Sequence, residues 1–161
     1  MTDHWVMDAS PLILLGKSGQ LEWLPRMGHI VVPESVATEV AAGSPDDPAR
    51  LWIESLVGKA SITSDADIAD ELLAWDLGRG ENAVIAFALA HSGYEAVLDD
   101  AAARRCAAVF GVRLRGTLSF VALAKKRGLV PACRPVFEKM QAAGLSVSQA
   151  LVDQVALSVG E

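Results

Sequence analysis

Long hydrophobic runs are missing from this chain of 161 residues. No apolar stretch approaches the ~18 residues free of charge, glycine and proline that a membrane span needs, so no transmembrane helix is expected. Cysteine is scarce. Cys106 and Cys133 are the only two, too few for a disulfide scaffold or a Cys-rich zinc site. Cys106 lies in an Ala-rich helical pattern and reads as a small buried apolar residue. The segment Met1-Thr2-Asp3-His4 puts no basic stretch ahead of an apolar one, so no secretory signal is expected. Histidine is limited to His4, His29 and His91, which are not at metal-ligand spacing. Positive charge is also short: 14 Lys and Arg stand against 20 Asp and Glu, for a net charge of −6. That argues against a non-specific DNA coat.

Apolar residues are abundant, at 52% of the chain, which excludes intrinsic disorder. A chain this size buries roughly 70% of its unfolded surface, so it folds without disulfides or metal. These observations lead to the expectation of one reduced, cytoplasmic domain. The charge is unevenly spread. Residues 1–100 carry 5 basic and 17 acidic side chains, a net of −12, and residues 101–161 carry 9 basic and 3 acidic, a net of +6. This pattern fits a basic surface beside an acidic pocket, and equally helix faces that differ in sign by chance.

Short β-branched or apolar runs alternate with helical patterns. Trp5-Val6-Met7 reads as a strand ending at Asp8, with Ser10 as the cap of the next helix and Pro11 in its first turn. Leu21 to Met27 reads as a short helix, and Ile30-Val31-Val32, bounded by Pro33, as a second strand. Helices are expected over Glu34–Ala42 and Pro48–Leu56, with a short strand over Ala60–Thr63. Ser64 and Asp67 resemble a capping box for a helix through Trp75. Gly78-Arg79-Gly80 reads as a turn before a helix over Glu81–His91. Glu95-Ala96-Val97-Leu98 is a strand ending at Asp99-Asp100, followed by a helix over Ala101–Phe110. Val112–Arg115 reads as a strand near an edge, and Thr117 opens a helix through Arg127. Helices near Pro135–Ala143 and Ser148–Val159 finish the chain. Trp5, Trp23, Trp52 and Trp75 read as core.

This order predicts an α/β fold: a single-domain three-layer α/β/α sandwich with a mostly parallel central sheet. Residues 1–128 would form the main domain, and 129–161 a helical extension packed on it. Ligands of such sheets bind outside the carboxyl ends of the strands, so Asp8, Asp99, Asp100 and Thr117 should face one edge. Glu39 and Glu81, near the apolar faces of their helices, are candidates to join them. Two carboxylates ~4 Å apart at an effective dielectric of ~20 repel by about 4 kcal/mol. A cluster therefore calls for a cation or shared protons. Hard oxygen donors without Cys or His select Mg²⁺ or Mn²⁺ over Zn²⁺, and such ions suit phosphoryl chemistry.

Four segments carry a family resemblance. Val6-Met7-Asp8-Ala9-Ser10-Pro11-Leu12 resembles the opening motif of PIN domains. Val32–Val40, with Glu39 near its end, resembles the second. Gly78–Ala86, with Glu81, and Val97–Arg105, with Asp99-Asp100, resemble the third and fourth. Gly116-Thr117-Leu118 and Ala124–Gly128 are similar to a prokaryotic branch of PIN proteins close to the VapC toxins of toxin–antitoxin systems. The resemblance implies a PIN-like fold and a Mg²⁺- or Mn²⁺-dependent ribonuclease, with a homodimeric state and an antitoxin partner. It places Asp8, Glu39, Glu81 and Asp100 as the catalytic acids. Asp8, Glu81, Asp99 and Asp100 would hold metal, and Ser10 and Thr117 would be supporting hydroxyls. Glu81 stands where many members have Asp, and Leu98 where many have Thr.

Arg104, Arg105, Arg113, Arg115 and the run Lys125-Lys126-Arg127 are candidate phosphate contacts for RNA. The last three also suit a helix C-terminus. Residues 129–161 could cover the groove or pair subunits, with Val147, Leu151, Val155 and Val159 as an apolar stripe on the last helix. The same fold without activity would make a binding module. A phospho-receiver domain would use Asp8, Asp100, Thr117 and Lys125, but leaves Glu39 and Glu81 without a role. A dinucleotide fingerprint at Gly78-x-Gly80-x-x-Ala83 lacks the preceding strand it requires.

Overall fold

The computed structural model describes residues 3–55 and 61–161. Its centre is a five-stranded sheet made of β1 (His4–Met7), β2 (His29–Pro33), β3 (Ser61–Thr63), β4 (Glu95–Val97) and β5 (Leu114–Arg115). The order across the sheet is β3-β2-β1-β4-β5 and every pairing is parallel. The chain therefore winds outward from β1 through β2 to β3, crosses back to β4, and continues to β5. The winding direction reverses between β1 and β4. A crevice opens at the carboxyl edge at such a point, because the flanking connections leave in opposite directions.

Helices flank the sheet: α1 (Ala9–Lys17), α2 (Glu34–Ala41), α3 (Pro48–Glu54), α4 (Asp70–Leu73), α5 (Arg79–Ala90), α6 (Ala101–Val109), α7 (Thr117–Lys126), α8 (Cys133–Ala142) and α9 (Gln149–Leu157). The expected ends of the third helix at Leu56 and of the third strand at Ala60 lie outside the described residues. The inner strands β1, β2 and β4 are buried along most of their length, as parallel strands covered on both faces must be, while the edge strands β3 and β5 are short and partly polar. Trp5, Val6 and Met7 are fully buried, and so are Val32, Ala96 and Val97. Trp5 anchors the core: its indole N–H donates to Met27 O at 3.1 Å, and its ring meets Phe120 edge-on at 5.0 Å. Trp23 and Trp52 are buried as expected, Trp75 only in part, and Cys106 and Cys133 are fully enclosed.

Several element boundaries differ from the expectation. α1 begins at Ala9, not after Ser10, because Asp8 N–H still donates to Val97 O in the sheet at 3.2 Å and Asp8 itself becomes the cap position. Pro11 is accommodated because the first-turn amides have no helical acceptor. Leu21–Met27 holds only a 3-10 turn, Leu24–Met27. Ser64 to Ala69 is irregular, and α4 is a single turn. α5 starts at Arg79, so Arg79 and Gly80 are helical rather than a turn. On α9 the buried residues are Val152 and Ala156, while Leu151 of the expected stripe is 42% exposed. Val147, Val155 and Val159 do pack on the core. Among the described residues no helix is long and apolar enough to cross a membrane.

Gly28 leads into β2 with φ +131, where a side chain is strained, and a methyl group there would overlap the carbonyl oxygen of Asp3. That carbonyl accepts from His29 N–H at 2.7 Å, which sets the β1–β2 register. Gly28→Ala is expected to lower stability by more than ~2 kcal/mol in urea denaturation. Gly93→Ala, where the added methyl meets nothing within 4 Å, should stay within about 0.5 kcal/mol.

Candidate acidic site at the carboxyl edge of the sheet

The site is built where β1 and β4 end. Asp8 follows β1 and is only 5% exposed. The α1 amides do not cap it with hydrogen-bond geometry. Burial raises its pKa from 3.8 to about 7. The Ala9 amide offsets part of this, and Glu81, Glu39 and Asp99 push it up further by repulsion. Three other carboxylates thus lie in the field of Asp8, and they come from α2, α5 and the end of β4.

Gly80 shows how closely two of them converge. A methyl group built on it would lie 2.7 Å from Glu39 Oε2 and 3.5 Å from Asp8 Oδ1, with Val36 at 3.4 Å behind. Only a glycine in the first turn of α5 leaves room for both acids. The pKa of Glu39 is raised by burial and then by Glu81. Glu81, three residues into the same turn, accepts the Gly78 N–H on Oε2 at 2.7 Å. It therefore braces the start of α5 while standing beside the other acids. Asn82, the next residue, is buried and its Oδ1 has no hydrogen-bond partner.

Asp99 is fixed from the other side. Its carboxylate accepts the Thr117 N–H at 2.8 Å and the Thr117 hydroxyl at 2.6 Å, tying the end of β4 to the first turn of α7. Thr117 is fully buried. Gly116 lies beneath this junction. A methyl there would meet Arg104 Nη1 at 2.5 Å and Asp99 Oδ1 at 3.4 Å, so the Arg104 guanidinium and this acid both border Gly116.

Asp100 behaves differently from its neighbour. It is exposed, its Oδ2 accepts the Ala103 N–H at 2.9 Å as the cap of α6, and it is not among the charges acting on Asp8. Of the two adjacent acids, the geometry turns Asp99 toward the cluster. Ser10 is exposed on the first turn of α1. The α5 side opens into a cavity of about 540 Å³, lined by Ser35, Thr38, Glu39, Asp65, Arg79 and Glu81 among others. Asp65 holds its wall by accepting both the N–H and the hydroxyl of Ser35. The sequence reading placed Arg79, Gly80 and Asn82 within a motif but gave neither them nor Asp65 a role in the site. The signal for Gly80 was the small residue one position before Glu81.

The basic candidates separate. Arg104 and Arg105 are exposed in the N-terminal half of α6, and Arg104 lies beside Gly116 near Asp99. Lys125, Lys126 and Arg127 lie at the far end of α7, about 15 Å along the helix from Thr117. Lys125 pairs with Glu161 at 2.7 Å. Arg127 donates to Met27 O at 2.8 Å and pairs with Asp3 at 3.2 Å. These two brace the opposite end of the molecule. Arg115 is held by Glu95 and Ser119, and Arg113 donates to Ser92 O.

The donor set is all hard oxygen, as Mg²⁺ or Mn²⁺ prefers. Among the described residues, no three His, Cys, Asp or Glu groups stand close enough to form a ready-made metal cage.

A family model described as a PIN domain matches residues 4–161. No curated protein matches the chain.

A buried acid with a raised pKa costs the folded state stability once it ionises. Between pH 4 and 7 the native Asp8 keeps a proton that the unfolded chain has lost, so stability falls as pH rises and levels off above about 7. The span is on the order of 4 kcal/mol, and the raised pKa of Glu39 adds in the same direction. In chelator, Asp8→Asn is expected to flatten this dependence and to unfold at a higher temperature than wild type at pH 8. Manganese should raise the wild-type Tm at pH 8 and leave that of the variant nearly unchanged.

Proposed function

The chain belongs to the PIN-domain family, and from that premise we propose that it is a divalent-metal-dependent endoribonuclease. Membership points to nuclease-type hydrolysis of nucleic acid in general, and the acid cluster supports the metal dependence. The observation that carries the reading is the burial of Asp8 amid Glu39, Glu81 and Asp99 at the switch point of a parallel sheet.

In this reading one or two of Asp8, Glu39, Glu81 and Asp99 would ligate Mg²⁺ or Mn²⁺ directly and the others would hold it through water, with Asp100 beside them as the cap of α6. The ion, when bound, supplies Lewis acidity and an activated water for in-line attack on a phosphodiester. The residues do the positioning. Thr117 locks Asp99 with two hydrogen bonds, so its carboxylate cannot swing to solvent. Glu81, braced on Gly78, keeps a fixed stance despite being longer than Asp. Leu98 is fully buried, so the hydroxyl that a Thr there would bring is supplied to the site by Thr117 instead. Ser10 stands at the mouth as a hydrogen-bonding hydroxyl. Arg104 and Arg105, with Arg79 across the cleft, contact the phosphates of the RNA, where charge-assisted bonds are strongest. Lys125 and Arg127 are structural, and Lys126 belongs to their end of the molecule.

The proposal extends to a cytoplasmic toxin that works as a homodimer and is held in check by an antitoxin protein. This part rests on the likeness of Gly116-Thr117-Leu118 and Ala124–Gly128 to that branch of the family.

Incubation with single-stranded RNA and Mn²⁺ or Mg²⁺ is expected to give internal cleavage that chelator abolishes. Asp8→Asn and Asp99→Asn should each lower the rate by roughly 10²-fold or more. Asp100→Ser, which keeps a capping oxygen, should cut at close to the wild-type rate. Equal loss in Asp99→Asn and Asp100→Ser, or cleavage that survives Asp8→Asn, would refute the assignment.

A further inference from the structure

Glu39 separates two cavities. One is the acid-lined cleft over α5. The other, of about 310 Å³, lies on the opposite side of Glu39, between α1 and the connection from α8 to α9. The two differ sharply in chemistry. The first is walled by Glu34, Glu39, Asp65 and Glu81 with one arginine. The second has Glu39 as its only ionisable wall, and is otherwise made by Ser10, Ile13 and Leu14 on α1 and by Gly144, Leu145 and Ser146 on the connection. Residues 10, 13 and 14 share one face of α1 at helical spacing.

The second wall is preformed. α8 ends in a Schellman motif: Gly144 N–H donates to Gln141 O at 3.1 Å and Leu145 N–H to Met140 O at 2.9 Å. Gly144 takes φ +112, which a side chain would strain. The pairing that follows Gly144 sets the position of Leu145, and Ser148 then caps α9 on the Leu151 N–H. α8 packs on α1 and on α7, so residues beyond 128 complete a cavity that touches a proposed catalytic acid.

The geometry points to this cavity as a nucleobase subsite, which takes one unstacked base next to the phosphate held at the acids. This rests on the nuclease reading above. A slot with apolar sides from Ile13, Leu14 and Leu145 and a hydroxyl on each wall suits a flat, uncharged ring with polar edges. The volume is at the small end of ligand pockets, which start near 300 Å³. A phosphate cannot compete for it, because the slot offers no cation and Glu39 repels anions. Base entry needs an unpaired strand, since stacked bases in a duplex cannot turn into a side pocket. The substrate class is therefore single-stranded RNA, cut beside a preferred base.

The test uses full-length wild-type protein with Ca²⁺, an oxygen-ligand cation under which the RNA is first checked to stay uncut, and a single-stranded oligoribonucleotide carrying 4-thiouridine. Irradiation is expected to crosslink RNA to peptides containing residues 143–146 or 9–14, identified by mass spectrometry. By fluorescence anisotropy, Ile13→Trp, which fills the slot from α1, and Ser146→Trp, which fills it from an exposed position outside the core, should each weaken single-strand binding at least tenfold. The duplex of the same sequence should bind at least tenfold more weakly than the single strand. Crosslinks confined to other segments, wild-type-like binding by folded Ser146→Trp, equal affinity for duplex, or no binding of single strand would each overturn the subsite. Crosslinking at 143–146 by a protein that cuts nothing with Mn²⁺ or Mg²⁺ would sink the nuclease reading and leave the subsite standing.

Discussion

A carboxyl group buried among other carboxyl groups is unstable as an anion, and Asp8 is such a group. Among the described residues nothing neutralises it fully: the Ala9 amide at the start of α1 offsets only part of the cost of burial, and the three charges that act on it are negative. A fold that keeps such a residue at the centre of its sheet carries a standing cost, and a divalent cation would remove it. The other features of the site follow from this constraint. Gly80 has to be small so that Glu39 can approach Asp8. Thr117 has to be buried with its hydroxyl on Asp99, because an untethered Asp99 would turn away from its like-charged neighbours.

The parallel sheet makes the convergence possible. β1 lies between β2 and β4, so its end is flanked by the starts of α2 and α6. The reversal of winding beside it leaves an opening instead of a helix. The same topology separates charge. Acids gather at the carboxyl edge, while Lys125 and Arg127 sit at the amino edge, where they neutralise Glu161 and Asp3 and tie the ends of the described chain to the core. Three backbone and side-chain donors act on Glu161. Burial works against its ionisation, yet Lys125 and the amides of Cys133 and Arg134 prevail and bring its pKa to about 2. The charge asymmetry between the two parts of the sequence is thus resolved partly into a structural lock, and only partly into a surface that could meet phosphate.

Much of this was legible in the residues. Apolar triplets followed by acids marked β1 and β4, because parallel strands are buried on both faces and end at the ligand edge. Glycines after helical runs marked the ends of α1, α6 and α7. The helix starts were less legible. Ser10 and Asp8 are equally good caps by type, but the sheet hydrogen bond from Asp8 to Val97 decides the boundary, and no local pattern shows that bond. The choice between Asp99 and Asp100 was hidden for the same reason. Adjacent residues point in different directions at a strand-to-helix junction: Asp99 meets Thr117, eighteen positions on, while Asp100 caps α6. The partners of Lys125 and Arg127, namely Glu161, Asp3 and the Met27 carbonyl, were not legible, because composition carries no information on which end of a helix faces the site. The wall made by Gly144 and Leu145 was unreadable beyond a helix stop, since it depends on α8 lying against α1.

The central claim is that Asp8, Glu39, Glu81 and Asp99 form one socket for a divalent cation. Anomalous diffraction from crystals soaked in Mn²⁺ tests it directly. The account predicts a manganese peak within ligand distance of the carboxylates of Asp8 and Asp99, with water completing its shell and Asp100 still on the Ala103 amide. A soaked crystal with no peak at this edge, or with the ion held by Asp100 while Asp8 stays dry and protonated, would contradict it.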